Sequence, residues 1–128
     1  MMRLALDTNA YADAARGDQR AAEILRTANE IHLPFVVLAE LRAGFAAGTR
    51  GAKNEAALTH FLQSPRVRLL FPDEQTTYHY ARLFSFLRKQ GTPVPTNDLW
   101  IAALVIQHDL VLLSGDGHFE RIPQVLRV

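Results

Sequence analysis

Short apolar runs alternate with longer segments of helical periodicity along this chain of 128 residues. In residues 21–28 and 80–87 the apolar side chains fall at i, i+3, i+4 and i+7, the spacing of a helix with one apolar face on a core. The short runs are rich in Val, Leu and Ile and have the length of buried strands. The pattern predicts five strands, at residues 4–6, 31–33, 67–71, 111–113 and 125–128.

Polar residues and glycine mark the ends of these two helices. Asp18 and Asp73 stand where an aspartate caps a helix N-terminus, and Gly91 stands where a glycine ends a helix. Strands that alternate with helices are joined by right-handed crossovers, which produce a parallel sheet with helices on both faces. We therefore predict an α/β fold, a three-layer α/β/α sandwich with a mostly parallel central sheet, in one domain over residues 1–128.

Composition narrows the class of protein. Hydrophobic residues make up 48% and charged residues 21% of the chain, which supplies a core and argues against disorder. No cysteine is present, so a disulfide framework, a thiolate metal site and a Cys nucleophile are excluded. The longest stretch without a charged residue, 99–108, is about half as long as a bilayer-spanning helix, and Asp7 interrupts any signal-peptide core. We expect a cytoplasmic protein with no membrane span.

Four acidic residues occupy positions that are unusual for a surface acid. Asp7 directly follows the first predicted strand, and Asp116 comes shortly after the fourth, at the edge where parallel sheets bind ligands. Glu40 lies in a helical segment, 35–47, whose residues three and four positions from Glu40 are apolar or glycine, so we expect it on an apolar face. Asp98 opens a helix whose next eight residues are all apolar and are expected to be buried.

These positions also have an ordinary structural explanation, since an aspartate after a strand or at a helix start is often a turn residue or a cap. For Asp98 taken alone, the two explanations weigh equally. Arg42 is available as a partner for Glu40, although residues two apart on a helix point in different directions. The remaining acids are assigned to the surface, to caps or to turns, and they include Asp13, Asp18, Asp73, Glu74, Asp109 and Glu120.

Convergence of Asp7, Glu40, Asp98 and Asp116 would require a counter-charge, because two unit charges about 4 Å apart repel by about 4 kcal/mol at an effective dielectric of about 20. A divalent cation removes this repulsion, and oxygen ligands without Cys or a His pair favour Mg²⁺, with Mn²⁺ as a substitute. Such a site suits phosphodiester hydrolysis. Without those four, the chain keeps 14 basic residues against 9 of its 13 acidic ones, a surplus that suits a polyanionic substrate.

Four short motifs contain these acids: DTN at 7–9, LAELRAG at 38–44, PTNDLWIAA at 95–103 and SGDGHF at 114–119. In this order they resemble the motifs of the PIN-domain ribonucleases, and most closely those of the VapC-like toxins of bacterial toxin–antitoxin pairs. The similarity runs from residue 4 to about residue 122. Four motifs in order are far more specific than any one of them.

The resemblance implies a PIN-like fold and Mg²⁺-dependent endonucleolytic hydrolysis of RNA, with the same four carboxylates as the metal site. It further implies that Asn9, Asn97 and Ser114 orient the carboxylates, that a cognate antitoxin protein holds the toxin inactive, and that the chain forms a homodimer. Two positions depart from the family pattern. Ser114 stands where threonine is common, and Gly115 stands where arginine is frequent, which removes a possible phosphate contact.

Other classes of protein fit the sequence less well. The main alternative is a non-catalytic PIN-like module that binds RNA or a partner protein, and the presence of all four acids argues against it. A haloacid-dehalogenase-like phosphatase needs a second aspartate where Asn9 stands, and a response-regulator receiver needs paired acids at the first strand. His118 lies two residues from Asp116 and could contact a substrate, but a histidine in such a position is more often a surface residue. Trp100 is expected in the core.

Overall fold

A computed structural model of the protein describes residues 1–128. Its strands are β1 (Arg3–Leu6), β2 (Glu30–Pro34), β3 (Val67–Leu70) and β4 (Val111–Leu113). Its helices are α1 (Thr8–Ala15), α2 (Gln19–Thr27), α3 (Phe35–Ala47), α4 (Gly51–Leu62), α5 (Glu74–Gln90) and α6 (Thr96–Gln107), and a 3-10 turn follows at Gly117–Arg121. No helix combines the length and the apolar character needed to cross a bilayer.

All four strands are parallel and lie in the order β3-β2-β1-β4. The chain runs outward from β1 through β2 to β3, and then crosses over the sheet to place β4 on the other side of β1. Parallel strands are almost always joined by right-handed crossovers, so with this strand order the helices that precede β3 cover one face, and α5 and α6 cover the other. This arrangement confirms the predicted three-layer α/β/α sandwich with a parallel sheet.

The core centres on the inner strands of the sheet and on α6. Leu4 and Leu6 of β1 and Leu112 of β4 are completely buried, and so is most of the segment Ile101–Val105 of α6, as the apolar run predicts. Trp100 packs edge-on against Phe35 with ring centroids 6.2 Å apart, which confirms its place at the core. Asp7, which follows β1, and Asp98, in the first turn of α6, are therefore attached to elements whose side chains are largely buried in the core.

The predicted helix ends are confirmed. Asp18 caps α2, where its carboxylate accepts a hydrogen bond of 2.9 Å from the Ala21 N–H. Asp73 caps α5 in a capping box with Thr76, in which each side chain accepts from the other residue's N–H. Gly91 ends α5 at a φ of 78°, a left-handed conformation that glycine adopts without strain.

The predicted fifth strand at residues 125–128 is wrong. The Val125 N–H still bonds to the carbonyl of Ile122, so a turn occupies the start of the segment. Beyond it, two backbone hydrogen bonds of 2.8 and 3.0 Å join Leu126 and Val128 to Leu112 of β4 and form a single parallel bridge. The turn leaves too few extended residues for a strand.

Candidate metal centre

The four predicted acids meet at the C-terminal edge of the sheet, beside the point where the strand order reverses. From β1 the chain continues to β2 on one side, whereas β4 pairs with β1 on the other side. This topology leaves a crevice between the loop that follows β1 and the loop that follows β4. Asp7 follows β1 and Asp116 follows β4. Asp98 from α6 and Glu40 from α3 line the same pocket as Asp116.

The pocket is polar and wide open to solvent. It has a volume of about 430 Å³ and contains no Lys or Arg. An open, acidic pocket of this kind admits a segment of a polymer more readily than it encloses a small molecule. Its lining consists of Glu40, Pro95, Thr96, Asn97, Asp98, Asp116 and His118.

Asp7 is the most buried of the four acids, with 4% of its surface exposed. Its Oδ1 accepts a hydrogen bond of 2.8 Å from the Ala10 N–H, and its Oδ2 accepts one from the Ser114 hydroxyl. Burial raises the pKa of Asp7, repulsion from Asp116 and Asp98 adds to the rise, and the two hydrogen bonds oppose it. The carboxylate is thus fixed in orientation close to other negative charges.

Asp98 lies in the first turn of α6 but does not cap the helix. Pro95 occupies the N-cap position, and the Asp98 carboxylate makes its hydrogen bond to a side chain, with Nδ1 of His118 2.8 Å from Oδ2. Burial raises the pKa of Asp98, and so does repulsion from Asp116 and Glu40, whereas the contact with His118 lowers it. The ordinary cap explanation for Asp98 is therefore wrong.

Ser114 connects the loops that follow β1 and β4. Its hydroxyl donates to Asp7, and the same oxygen accepts a hydrogen bond of 3.0 Å from the Asp116 N–H. The Asp116 carboxylate accepts in turn from the His118 N–H at 2.9 Å and begins the 3-10 turn. These contacts are those expected of a residue that orients two carboxylates.

Glu40 is exposed at the rim of the pocket, so the expectation of an apolar surrounding is wrong. Its Oε1 accepts a hydrogen bond of 2.9 Å from the Thr8 hydroxyl. Arg42 turns away and pairs with Glu55 of α4 at 2.8 Å. The neighbours of Glu40 on the following turn of α3 are small residues with nothing packed over them, which keeps this carboxylate hydrated.

Two residues predicted to support the carboxylates do not take part in the hydrogen bonds of the site. Asn9 and Asn97 are exposed, and neither side chain forms a hydrogen bond, so their supporting role stays a prediction. Two residues that were not assigned to the site do contact it, Thr8 on Glu40 and His118 on Asp98. Thr8 lies inside the first motif, and His118 lies two residues from Asp116. Their closeness in sequence to the predicted acids is the only feature of the sequence that indicates a place in the site.

The donor set fits a hard divalent cation. Ligand atoms of Asp98, Asp116 and His118 lie within 4.8 Å of one another. Burial raises the pKa of Asp7 and of Asp98, and repulsion from neighbouring carboxylates adds to both rises. Carboxylate oxygens are the ligands that Mg²⁺ and Mn²⁺ prefer. The pocket contains no Lys or Arg to offset the repulsion among the carboxylates, and a bound divalent cation would offset it.

Removing the charge of Asp7 is expected to change how stability depends on pH. Because the folded pKa of Asp7 is raised, its ionisation destabilises the metal-free fold, and this effect grows as pH rises through that pKa. Asp7→Asn keeps an acceptor for the Ala10 N–H and lacks the charge. The free energy of unfolding of Asp7→Asn minus that of the wild type, measured with urea in EDTA, should increase from about pH 4 to about pH 7. A constant difference would contradict the raised pKa.

The sequence matches a known family over nearly its whole length. The model of the PIN domain matches residues 4–125, so the chain belongs to the PIN-domain family. The predicted resemblance is thereby confirmed.

Relatives and solved structures agree with this assignment. The ribonuclease VapC1 of Haemophilus influenzae (strain R2866) is 32% identical over 105 residues, which cover 81% of this chain and 76% of the relative. The structure of VapBC2 from Rickettsia felis, bound to a DNA fragment from their promoter, has a TM-score of 0.86 at 28% identity and covers 99% of this chain and 98% of that chain. VapBC-1 from nontypeable Haemophilus influenzae has a TM-score of 0.84 at 27% identity, with 99% and 97% covered.

Proposed function

We propose that the protein is a divalent-metal-dependent endoribonuclease that acts as the toxin of a toxin–antitoxin pair. The observation that carries the proposal is that three carboxylates, those of Glu40, Asp98 and Asp116, line one open polar pocket, and that the buried carboxylate of Asp7 lies close enough to two of them to be repelled. The chain that holds them belongs to the PIN-domain family. Relatives of this chain carry the name ribonuclease, which agrees with the chemistry that such a site supports.

Asp7, Asp98 and Asp116 would hold the ion, with Glu40 at its open side. Bound Mg²⁺, or Mn²⁺ in its place, activates water and stabilises negative charge on a phosphate during hydrolysis. The chain's own contribution is orientation, because both oxygens of Asp7 are held by hydrogen bonds and Ser114 ties Asp7 to the Asp116 loop. Glu40 is the most exposed of the four acids, which leaves it free to accept a proton from the attacking water.

RNA is the proposed substrate. The acidic pocket alone would repel a polyanion, but a bound metal ion would make it a site for a phosphate group. The pocket is open to solvent, and without the four acids the chain has 14 basic and 9 acidic residues, a surplus of positive charge that suits a polyanion. The proposed activity on cellular RNA agrees with a location in the cytoplasm, which is part of the proposal.

A cognate antitoxin protein is the proposed partner. Solved structures of VapBC complexes match this chain over nearly its full length. An arginine from such a partner would pair with the carboxylates bidentately and take the place of the cation. The expected homodimer stays a prediction, which light scattering of the purified protein tests.

Inducible expression in bacteria tests the toxin role. The wild-type protein should arrest growth, because one active ribonuclease molecule cleaves many RNA molecules, and Asp98→Asn should leave growth unaffected. Co-expression of the cognate antitoxin should restore growth to cells that express the wild type. Both proteins must be soluble and equally abundant. Equal tolerance of the two proteins would favour the alternative, a PIN-like module that binds RNA or a partner without cleaving it.

A further inference from the structure

We propose that Nδ1 of His118 is a direct ligand of the ion in this site, and that this nitrogen makes the site prefer Mn²⁺ to Mg²⁺. The inference depends on the proposed function, since it concerns the metal of the same centre. It replaces the all-oxygen ligand set expected from the sequence with a mixed set of carboxylates and one imidazole.

The distances around His118 are those of an octahedral ligand set. Nδ1 lies 2.8 Å from Oδ2 of Asp98 and 3.2 Å from Oδ1 of Asp116. An octahedral ion with bonds of about 2.1 Å has neighbouring ligand atoms about 3.0 Å apart. Nδ1 therefore stands at the spacing of one octahedral corner from an oxygen of Asp98 and from an oxygen of Asp116, and ligand atoms of all three residues lie within 4.8 Å of one another.

The backbone holds His118 in this place. Its N–H donates to the Asp116 carboxylate at 2.9 Å, and the next residue, Phe119, is 1% exposed and anchors the 3-10 turn in the core. The imidazole itself is 39% exposed and lines the pocket, so its position depends on its contacts with Asp98 and Asp116 and not on packing. Ion binding would require the ring proton to be on Nε2, which presents the Nδ1 lone pair to the cation.

A nitrogen ligand changes the choice of metal. Mg²⁺ is a hard ion that takes oxygen ligands, whereas first-row transition ions also bind imidazole well. Replacing one oxygen by Nδ1 of His118 should therefore cost Mg²⁺ more affinity than it costs Mn²⁺. With His118 as a ligand the site should therefore select Mn²⁺ over Mg²⁺, which a site of oxygen ligands alone would not do to the same extent.

The test measures ion binding directly on the purified full chain, without RNA. Calorimetric titrations with Mn²⁺ and with Mg²⁺ should show Mn²⁺ binding at least tenfold more tightly to the wild type. Pulsed electron paramagnetic resonance of the Mn²⁺-loaded protein should show a ¹⁴N coupling from a directly bound imidazole. His118→Ala should lose the coupling and most of the Mn²⁺ preference, whereas His60→Ala, at an exposed histidine of α4, should keep both.

A second variant separates a ligand from a hydrogen-bond donor. His118→Asn can still donate an N–H to Asp98, and we expect it to lack both the nitrogen coupling and the Mn²⁺ preference. Ion binding to the wild type without nitrogen coupling would overturn the inference and leave the proposed acidic centre intact. Failure of the wild type to bind either ion would overturn the proposed metal-dependent function as well. The wild-type spectrum decides the point even if a variant does not fold.

Discussion

Asp98→Asn is expected to reduce Mg²⁺-dependent RNA cleavage by at least about 100-fold. Loss of a residue that only orients metal ligands commonly costs about 10-fold to 100-fold, and Asp98 is proposed as a ligand itself. Asparagine has the same shape, and the Asp98 side chain does not cap α6, so the fold should persist. Cleavage rates of a structured RNA by the purified proteins, followed on denaturing gels, measure the effect.

The matched control for this variant lies at the other end of the same helix. Asp109 follows α6, is exposed, and has a φ of 57°, a conformation that asparagine tolerates well. Asp109→Asn removes one negative charge from the protein without touching the pocket and should cleave RNA at the wild-type rate. If Asp98→Asn cleaves as fast as Asp109→Asn, the Asp98 carboxylate has no part in the reaction.

Mg²⁺ is expected to stabilise the wild-type fold by about 2.7 kcal/mol at a concentration of about 100 times its Kd. For a chain of this length that corresponds to an increase in Tm of roughly 5 to 10 °C. The cause is the repulsion among Asp7, Asp98 and Asp116, which adds to the effect of burial in raising the pKa of Asp7 and Asp98 and which a bound cation would remove. Thermal melts in EDTA and in Mg²⁺ measure the shift.

Asp98→Asn should change both melts. In EDTA the variant should be as stable as the wild type or more so, because one of the repelling charges is gone, and in Mg²⁺ most of the increase in Tm should be lost. Asp109→Asn should keep the full increase. Equal increases for the two variants would mean that Mg²⁺ acts on the general surface charge and that the carboxylates do not share an ion.

Local patterns were sufficient to predict most of the fold and part of the centre. The caps Asp18 and Asp73 and the apolar run of α6 depend on neighbours within a few residues, and these predictions are confirmed. The placement of Asp7 and Asp116 at adjacent strand ends follows from parallel pairing of β1 with β4. The predictions succeeded where the spacing of residues within an element, or the general rule that adjacent parallel strands end at the same edge of a sheet, determines which side chains meet.

The errors come from contacts that no local pattern encodes. Glu40 looked buried because its neighbours are apolar, but small residues on α3 do not bury a side chain when no element packs over them. Arg42 finds its partner, Glu55, on the next helix. His118 reaches Asp98 across 20 positions in the sequence, a contact that depends on how the 3-10 turn meets the start of α6.

Cleavage of one defined RNA by the wild-type protein, before and after metal removal, tests the proposed metal-dependent ribonuclease most directly. The account predicts that cleavage stops in EDTA and returns to its initial rate when excess Mg²⁺ is added. Cleavage that continues unchanged in EDTA would contradict it.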